Sequence, residues 1–498
     1  MPKTHHSDSY SHVLKYTGIF GGVQGMSILV GIVRNKLVAT ILGPSGMGLI
    51  SLFNSTINLL SNSTNLGLSM SAVKNISEVY DSGDQSRLRH IVKMIRSWSL
   101  ITALVGMALC VVCSPMLSKW TFGWGNHTLH FILLSPVVGM MAITGGEMAI
   151  LKGTRRLGNL ASISVYNVVA ALITSVPLYY FWGESAIVPS LIVMGLTQML
   201  LTVGYSYKLF PLKVSSDRQL LNEGMSMVRL GIAFVMAGIL GSGAEFVIRS
   251  YLNYTSSLAT VGLYSAGYMM TMTYASTVFS AMETDFFPRL SACTGGITTT
   301  NTIVNRQIEV SFLLVSPMLV FFTIGLPILL PLLYSGKFTP VIGMMQITVF
   351  AMYFRALKLP VAYIPLAKGD SWSYLLLEAI YDVMVVLLVI VAFNRWGLIG
   401  CGVAITLAGI LDFVILLVYT HFKYGFHLSS RVRQYAFIQF PFAVLAYLLT
   451  FVHSPWVYWT CGILLGVAST AVSVHILRQK TTLWESLKAR FTKKFRHE

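Results

Sequence analysis

The sequence predicts an all-α, polytopic membrane protein of about fourteen transmembrane helices. Three observations predict it. The 498 residues are 55% hydrophobic and only 11% charged, where a soluble domain carries about 25% charged residues. Mean hydropathy is +0.69. Apolar runs near twenty residues recur from end to end, each long enough to cross a hydrocarbon core of about 30 Å.

Windows of roughly nineteen residues place the spans near 14–41, 46–73, 93–114, 128–151, 159–182 and 185–208. After a polar break come 228–250, 258–283, 307–333, 341–367, 372–393 and 397–421, and then 434–452 and 456–477. The first span has no small-residue cleavage site behind it and reads as retained, not as a signal peptide. Its glycines 18, 21, 22 and 25 give overlapping GxxxG spacings, which suit close helix packing or a bending helix.

The first span also holds Arg34 and Lys36. Two residues apart, they point roughly 200° from one another on a regular helix. A cation in a bilayer helix costs about 2.5–3.5 kcal/mol, so each serves a wet interior or, for Lys36, snorkels to the interface. Gly43-Pro44-Ser45-Gly46-Met47-Gly48 reads as a tight turn. It lacks the Lys-Ser/Thr ending of a phosphate-binding loop.

Glu147 lies alone in the fourth span and Asp412 in the twelfth, candidate sites for a coupling ion. Glu245 and Arg249, four apart, either pair with each other or act separately, Glu245 on an ion and Arg249 on substrate. Glu283 and Asp285 close the eighth span. Arg355 and Lys358 share one face of the tenth span, ahead of Pro360 and Pro365, which predict a kink or break. Two cations on one face need an anion. Either a substrate provides it, or Glu378 and Asp382 on one face of the eleventh span do.

The net charge of +17 does not point to nucleic acid, because Lys and Arg gather in every second loop. The second loop carries Lys74, Arg87, Arg89, Lys93 and Arg96, the fourth Lys152, Arg155 and Arg156, and the sixth Lys208, Lys213 and Arg218. That asymmetry predicts cytoplasmic termini. Five cysteines are scattered in apolar segments, and the Cys110/Cys113 pair has no partners to complete a metal site; no cofactor is implied. From Arg478 onward a basic tail with Trp484, Leu487 and Phe491 suits either an amphipathic helix on anionic lipid or a solvated tail.

A shift of about 214 residues lays 48–77 over 262–291 without a gap, matching Gly48-Leu49 to Gly262-Leu263 and Ser77 to Ser291. The chain then divides into two pseudo-symmetric six-helix lobes, 1–220 and 221–430, with two further helices and the tail in 431–498.

Several segments carry a family resemblance. KLVATILGPSGMGL at 36–49 resembles the end of the first helix and following turn in Wzx-type O-antigen flippases. These form the polysaccharide-transporter branch of the multidrug/oligosaccharidyl-lipid/polysaccharide exporters. VGLYSAGYMM at 261–270, FFPRLS at 286–291, YSGKFTP at 334–340 and AKGDSWSY at 367–374 extend the likeness. It implies a non-enzymatic carrier in the bacterial inner membrane that moves an undecaprenyl-pyrophosphate-linked oligosaccharide to the periplasmic leaflet by alternating access. Lys36 falls where family members carry a base. Membrane lipid, H⁺ or Na⁺, and other surface-polysaccharide assembly proteins are the implied partners. On this reading Lys36, Arg34, Arg355, Lys358 and Arg249 contact pyrophosphate or glycan, and Asp412, Glu378, Asp382, Glu245 and Glu147 couple an ion or gate. The alternatives are a drug/cation antiporter of the same fold and an O-antigen polymerase or ligase, an enzyme that would need catalytic groups in a long outer loop.

Overall fold

The computed structural model describes residues 5–211, 218–274 and 296–480, with isolated positions between 279 and 293. Glu283, Asp285, Lys213 and the tail from 481 lie outside the described residues. The helices are α1 (His5–Thr64), α2 (Leu68–Ser82), α3 (Gln85–Phe122), α4 (Thr128–Gly153), α5 (Leu157–Trp182), α6 (Ile187–Leu209), α7 (Arg218–Thr255) and α8 (Leu258–Tyr268). A π-helical turn, Met269–Tyr274, follows α8. Then come α9 (Ile297–Leu333), α10 (Ile342–Ala367), α11 (Ser371–Tyr424), α12 (Ser430–Leu449) and α13 (Pro455–Lys480).

Three apolar helical stretches are 39, 52 and 54 residues long: Met26–Thr64, Gly158–Leu209 and Ser371–Tyr424. At 1.5 Å per residue the last would measure about 80 Å, far beyond one bilayer, and each of the three stretches is interrupted part-way. The interruptions fall at glycines. Gly43 (φ 67°, ψ −170°) breaks α1, Gly183 (φ 57°, ψ −135°) ends α5 and Gly397 (φ 58°, ψ −138°) breaks α11. That backbone region is essentially closed to residues with a Cβ. The six-residue turn expected at 43–48 thus reduces to one residue, with Pro44 free to occupy the first turn of the next helix.

Other boundaries shift for identifiable reasons. The span expected at 46–73 stops at Thr64, because Leu66 (φ 50°) and Gly67 (φ 69°) are left-handed. The chain resumes as the amphipathic α2. Its Ala72, Ile76 and Val79 pack on Leu88 and Ile95 of α3 and Ile150 of α4. Helix α3 begins at Gln85, capped by Asp84, whose Oδ1 accepts from Ser86 N and Arg87 N at 3.0 Å. Its 38 residues run about 57 Å, so Lys93 and Arg96, expected in a loop, lie within a helix. Helix α10 continues unbroken through Pro360 and Pro365, where a kink or break was expected. The helix loses two backbone donors there but keeps its course, flanked by α11.

Two compact units emerge: residues 1–265 with 331–338, and residues 266–330 with 339–498. Residues 221–265, assigned by the sequence repeat to a second lobe, pack with the first unit. Within that unit Gly48 and Gly262 meet backbone to backbone. A Cβ on Gly48 would sit 2.0 Å from the Leu258 carbonyl oxygen, and one on Gly262 1.8 Å from that of Pro44. Ser51 Oγ and Ser265 Oγ hydrogen-bond at 2.6 Å, and they are 214 residues apart. The offset that aligns the two repeats is therefore also the offset between side chains that touch.

Candidate substrate and coupling sites

In the second unit a cavity of about 340 Å³ is lined by α8, α10 and α11. Arg355 and Lys358 come from one face of α10, Glu378 and Tyr381 from one face of the first half of α11, and Asp412 from its second half. Tyr268, Tyr363 and Tyr374 complete a polar, aromatic wall. The break at Gly397 is what brings Glu378 and Asp412, 34 positions apart on one continuous sequence, to the same lysine. Lys358 Nζ pairs with the Asp412 carboxylate, lies 3.8 Å from Glu378 Oε1, and stands 4.9 Å from the Tyr381 ring centre. Its side chain is 16% exposed and that of Asp412 6%. One ammonium thus serves two carboxylates. Arg355 beside it has no carboxylate partner among the described residues. The formal charge of the four groups is zero, so protonating either acid turns the cavity cationic. Asp382 is not in the wall.

The first unit treats its charges differently. Arg34 Nε donates to Ser175 Oγ on α5 at 3.0 Å, and Nη2 to Met194 Sδ on α6 at 3.1 Å. Lys36 turns away from it, as the two-residue spacing requires, and donates to the Pro331 carbonyl in the last turn of α9. That contact ties residues 331–338 to the unit, where Tyr334 and Phe338 are buried against each other at 5.2 Å. Arg249 Nη1 bonds Glu245 Oε2 at 2.8 Å, and its Nε reaches Ser265 Oγ at 3.4 Å.

Glu147 is held by a residue that the loop pattern misassigned. Arg96 Nε and Nη2 grip its carboxylate at 2.8 and 3.2 Å, both side chains 3% exposed. The remaining donors reach Ser206 Oγ (3.3 Å) and the carbonyls of Phe210 (3.0 Å) and Pro211 (3.2 Å) at the end of α6. The Tyr207 ring covers the guanidinium at 4.2 Å. The four cavity tyrosines, Ser175 and Arg96 were all passed over in the sequence. Tyrosines are common in spans, and Arg96 abuts a run of basic residues that look cytoplasmic.

Comparison with known proteins adds the following. Residues 37–343 match the family described as polysaccharide biosynthesis protein. The lipid III flippase of Escherichia coli (strain K12) is 25% identical over 372 residues, covering 71% of this chain and 84% of that protein. The stage V sporulation protein B of Bacillus subtilis (strain 168) is 24% identical over 160 residues, 32% of this chain and 31% of that one. Among solved structures, the lipid II flippase MurJ in an inward closed conformation superposes with a TM-score of 0.73 at 14% identity, covering 93% of this chain and 99% of that one. An inward-facing multidrug resistance MATE family transporter of the MOP superfamily gives 0.67 at 14% identity, over 82% and 96%. These superpositions bear out the helical, polytopic transporter fold. The family match ends at residue 343, ahead of every α10 and α11 residue of the cavity.

Proposed function

We infer the function from one premise: this chain belongs to the polysaccharide biosynthesis protein family. It is a flippase that carries an oligosaccharide on undecaprenyl pyrophosphate, of the O-antigen or a related surface polysaccharide, from the cytoplasmic to the periplasmic leaflet by alternating access. The likeness to a lipid III flippase over 84% of that protein supports the substrate class. The geometric observation that carries the reading is Arg355, a cation without a carboxylate in the wall of a membrane-embedded cavity. A pyrophosphate carries about two negative charges whose desolvation is costly unless cations and hydrogen bonds replace water.

The trio of Lys358, Glu378 and Asp412 couples an ion to that step. With both acids ionised the wall is neutral and holds an anion weakly. An H⁺ on Glu378 or Asp412, or a Na⁺ between them, leaves Lys358 and Arg355 in excess and readies the wall for the anion; the ion arrives from the periplasm and is released to the cytoplasm before the anion moves out, an antiport. Outward movement of the anion from a negative-inside cell is assisted by about 2.3 kcal/mol per charge per 100 mV. The loop charges support a bacterial inner-membrane protein with cytoplasmic termini.

A drug or cation exporter is the second reading, favoured by two carboxylates and four tyrosines in one cavity. The flippases and transporters among the relatives give no support to a polymerase or ligase. Reconstitution in proteoliposomes decides the matter. Wild type translocates an undecaprenyl-pyrophosphate oligosaccharide and Arg355→Ala, equally folded, loses it. Efflux of a cationic dye without lipid transport would replace this function with the second reading.

A further inference from the structure

Arg34, on α1 of the first unit, is a second intramembrane cation without a carboxylate partner among the described residues. Its orientation is set by one hydroxyl. Ser175 Oγ donates its own proton to the Ala171 carbonyl at 2.5 Å, so toward Arg34 it can only accept. The Nε edge is thereby occupied, and Met194 Sδ takes one Nη2 hydrogen. Of the five N–H donors of a guanidinium, the two on Nη1 meet no acceptor among the described residues. One turn further along the same face of α5, Tyr179 is 1% exposed, and its hydroxyl makes no hydrogen bond of good geometry among the described residues. Tyr179 lies within electrostatic range of Arg34 and beside Ser190 of α6.

A buried hydroxyl whose one polar neighbour, Ser190, is poorly aligned and a half-buried cation without a carboxylate among the described residues are both costly, and here they are neighbours. One oxyanion answers both. A guanidinium's terminal edge matches two oxygens of a carboxylate or phosphate, and the tyrosine hydroxyl suits a third contact. We propose that Arg34 and Tyr179 form an oxyanion subsite between α1, α5 and α6, with Ser175 as the residue that positions Arg34. This rests on the reading of the chain as a glycolipid carrier, whose cargo would present the oxyanion as a phosphate of its linker or a carboxylate of an acidic sugar.

The test measures binding by the full-length protein in nanodiscs to three probes: farnesyl diphosphate, dodecyl glucuronide and the neutral dodecyl maltoside. Wild type should prefer one anionic probe, which identifies the source of the oxyanion. Tyr179→Phe should weaken that probe about 5- to 10-fold, the scale of one charge-assisted hydrogen bond. Arg34→Lys, which keeps the charge but not the fork, should do at least as much. Ser175→Ala should cost about 3-fold and Ser175→Thr restore it, while maltoside binding stays unchanged throughout. Wild-type affinity for both anionic probes in folded Tyr179→Phe and Arg34→Lys would overturn the subsite. So would a lowered melting temperature with an unchanged ratio of anionic to neutral affinity. Because binding needs no turnover, lipid transport can fail in proteoliposomes while this selectivity stands, and the reverse.

Discussion

The pair Arg96–Glu147 and the trio Lys358–Glu378–Asp412 are both ionic clusters within membrane helices, yet they are built for opposite ends. The first is saturated. Both carboxylate oxygens are gripped, Ser206 and two carbonyls take the remaining contacts, and an aromatic ring seals one face. The second is unsaturated, with one lysine divided between two acids on the wall of a cavity and, next to it, an arginine that has no carboxylate partner among the described residues. A buried pair that satisfies every donor can only be broken at a loss, whereas a cluster that shares one ammonium has several arrangements of similar energy. The first therefore acts as a rivet joining α3, α4 and α6, and the second as a place where a proton, ion or anion changes the balance.

The largest effect should fall on the rivet. Arg96→Ala leaves Glu147 buried and unpaired and should destabilise the protein by about 3–5 kcal/mol, seen as lost expression or a much lower melting temperature. Arg96→Met with Glu147→Leu should recover most of it. If the single substitution is tolerated, the contrast between the two clusters fails.

Arg355→Ala should do the reverse, cutting lipid translocation at least about tenfold, or 1.4 kcal/mol, with little change in melting temperature, because no partner is orphaned. Glu378→Gln sharpens the comparison. It removes one of the two acids that share Lys358, so translocation measured against pH should lose part of its pH dependence while the fold survives. An unchanged pH profile would remove Glu378 from the coupling scheme.

The smallest effect concerns a third cluster outside the membrane spans. Asp370 caps α11 through Ser373, pairs with Lys423 at 2.6 Å and accepts from Tyr424 at 2.7 Å. The Lys423 ammonium first, with the Ser373 and Tyr424 hydroxyls, holds its carboxyl well below the usual carboxylate range. A lowered folded-state pKa contributes stability above the unfolded value, about 3.9, and that contribution is lost as pH falls through the folded value. Asp370→Asn should therefore cost about 1 kcal/mol evenly from pH 5 to 8. The gap to wild type in thermal unfolding should narrow only below about pH 4. A gap that already closes between pH 5 and 7 would contradict the clasp.

Much of the fold was legible in the residues. Apolar runs mark the spans because a bilayer demands about twenty such residues at each crossing. Gly43, Gly183 and Gly397 fall where the three long stretches are interrupted. The 214-residue offset read from the sequence is also the separation of residues that touch, Ser51 with Ser265 and Gly48 with Gly262. The opposed directions of Arg34 and Lys36 followed from helical geometry alone.

Two charge pairings, Glu245 with Arg249 and Glu378 with Lys358, were among those the spacing offered, but the other partners of the charges were not legible. Lys358 meets Asp412 across 54 positions, Arg96 meets Glu147 across 51, and Arg34 meets Ser175 across 141. Lys36 finds the Pro331 carbonyl across 295. Hydrophobic length and helical period are local, so a sequence carries them position by position. Whether a charge is spent on a neighbour or left for a ligand is decided when distant helices pack, and only the tertiary structure holds that answer.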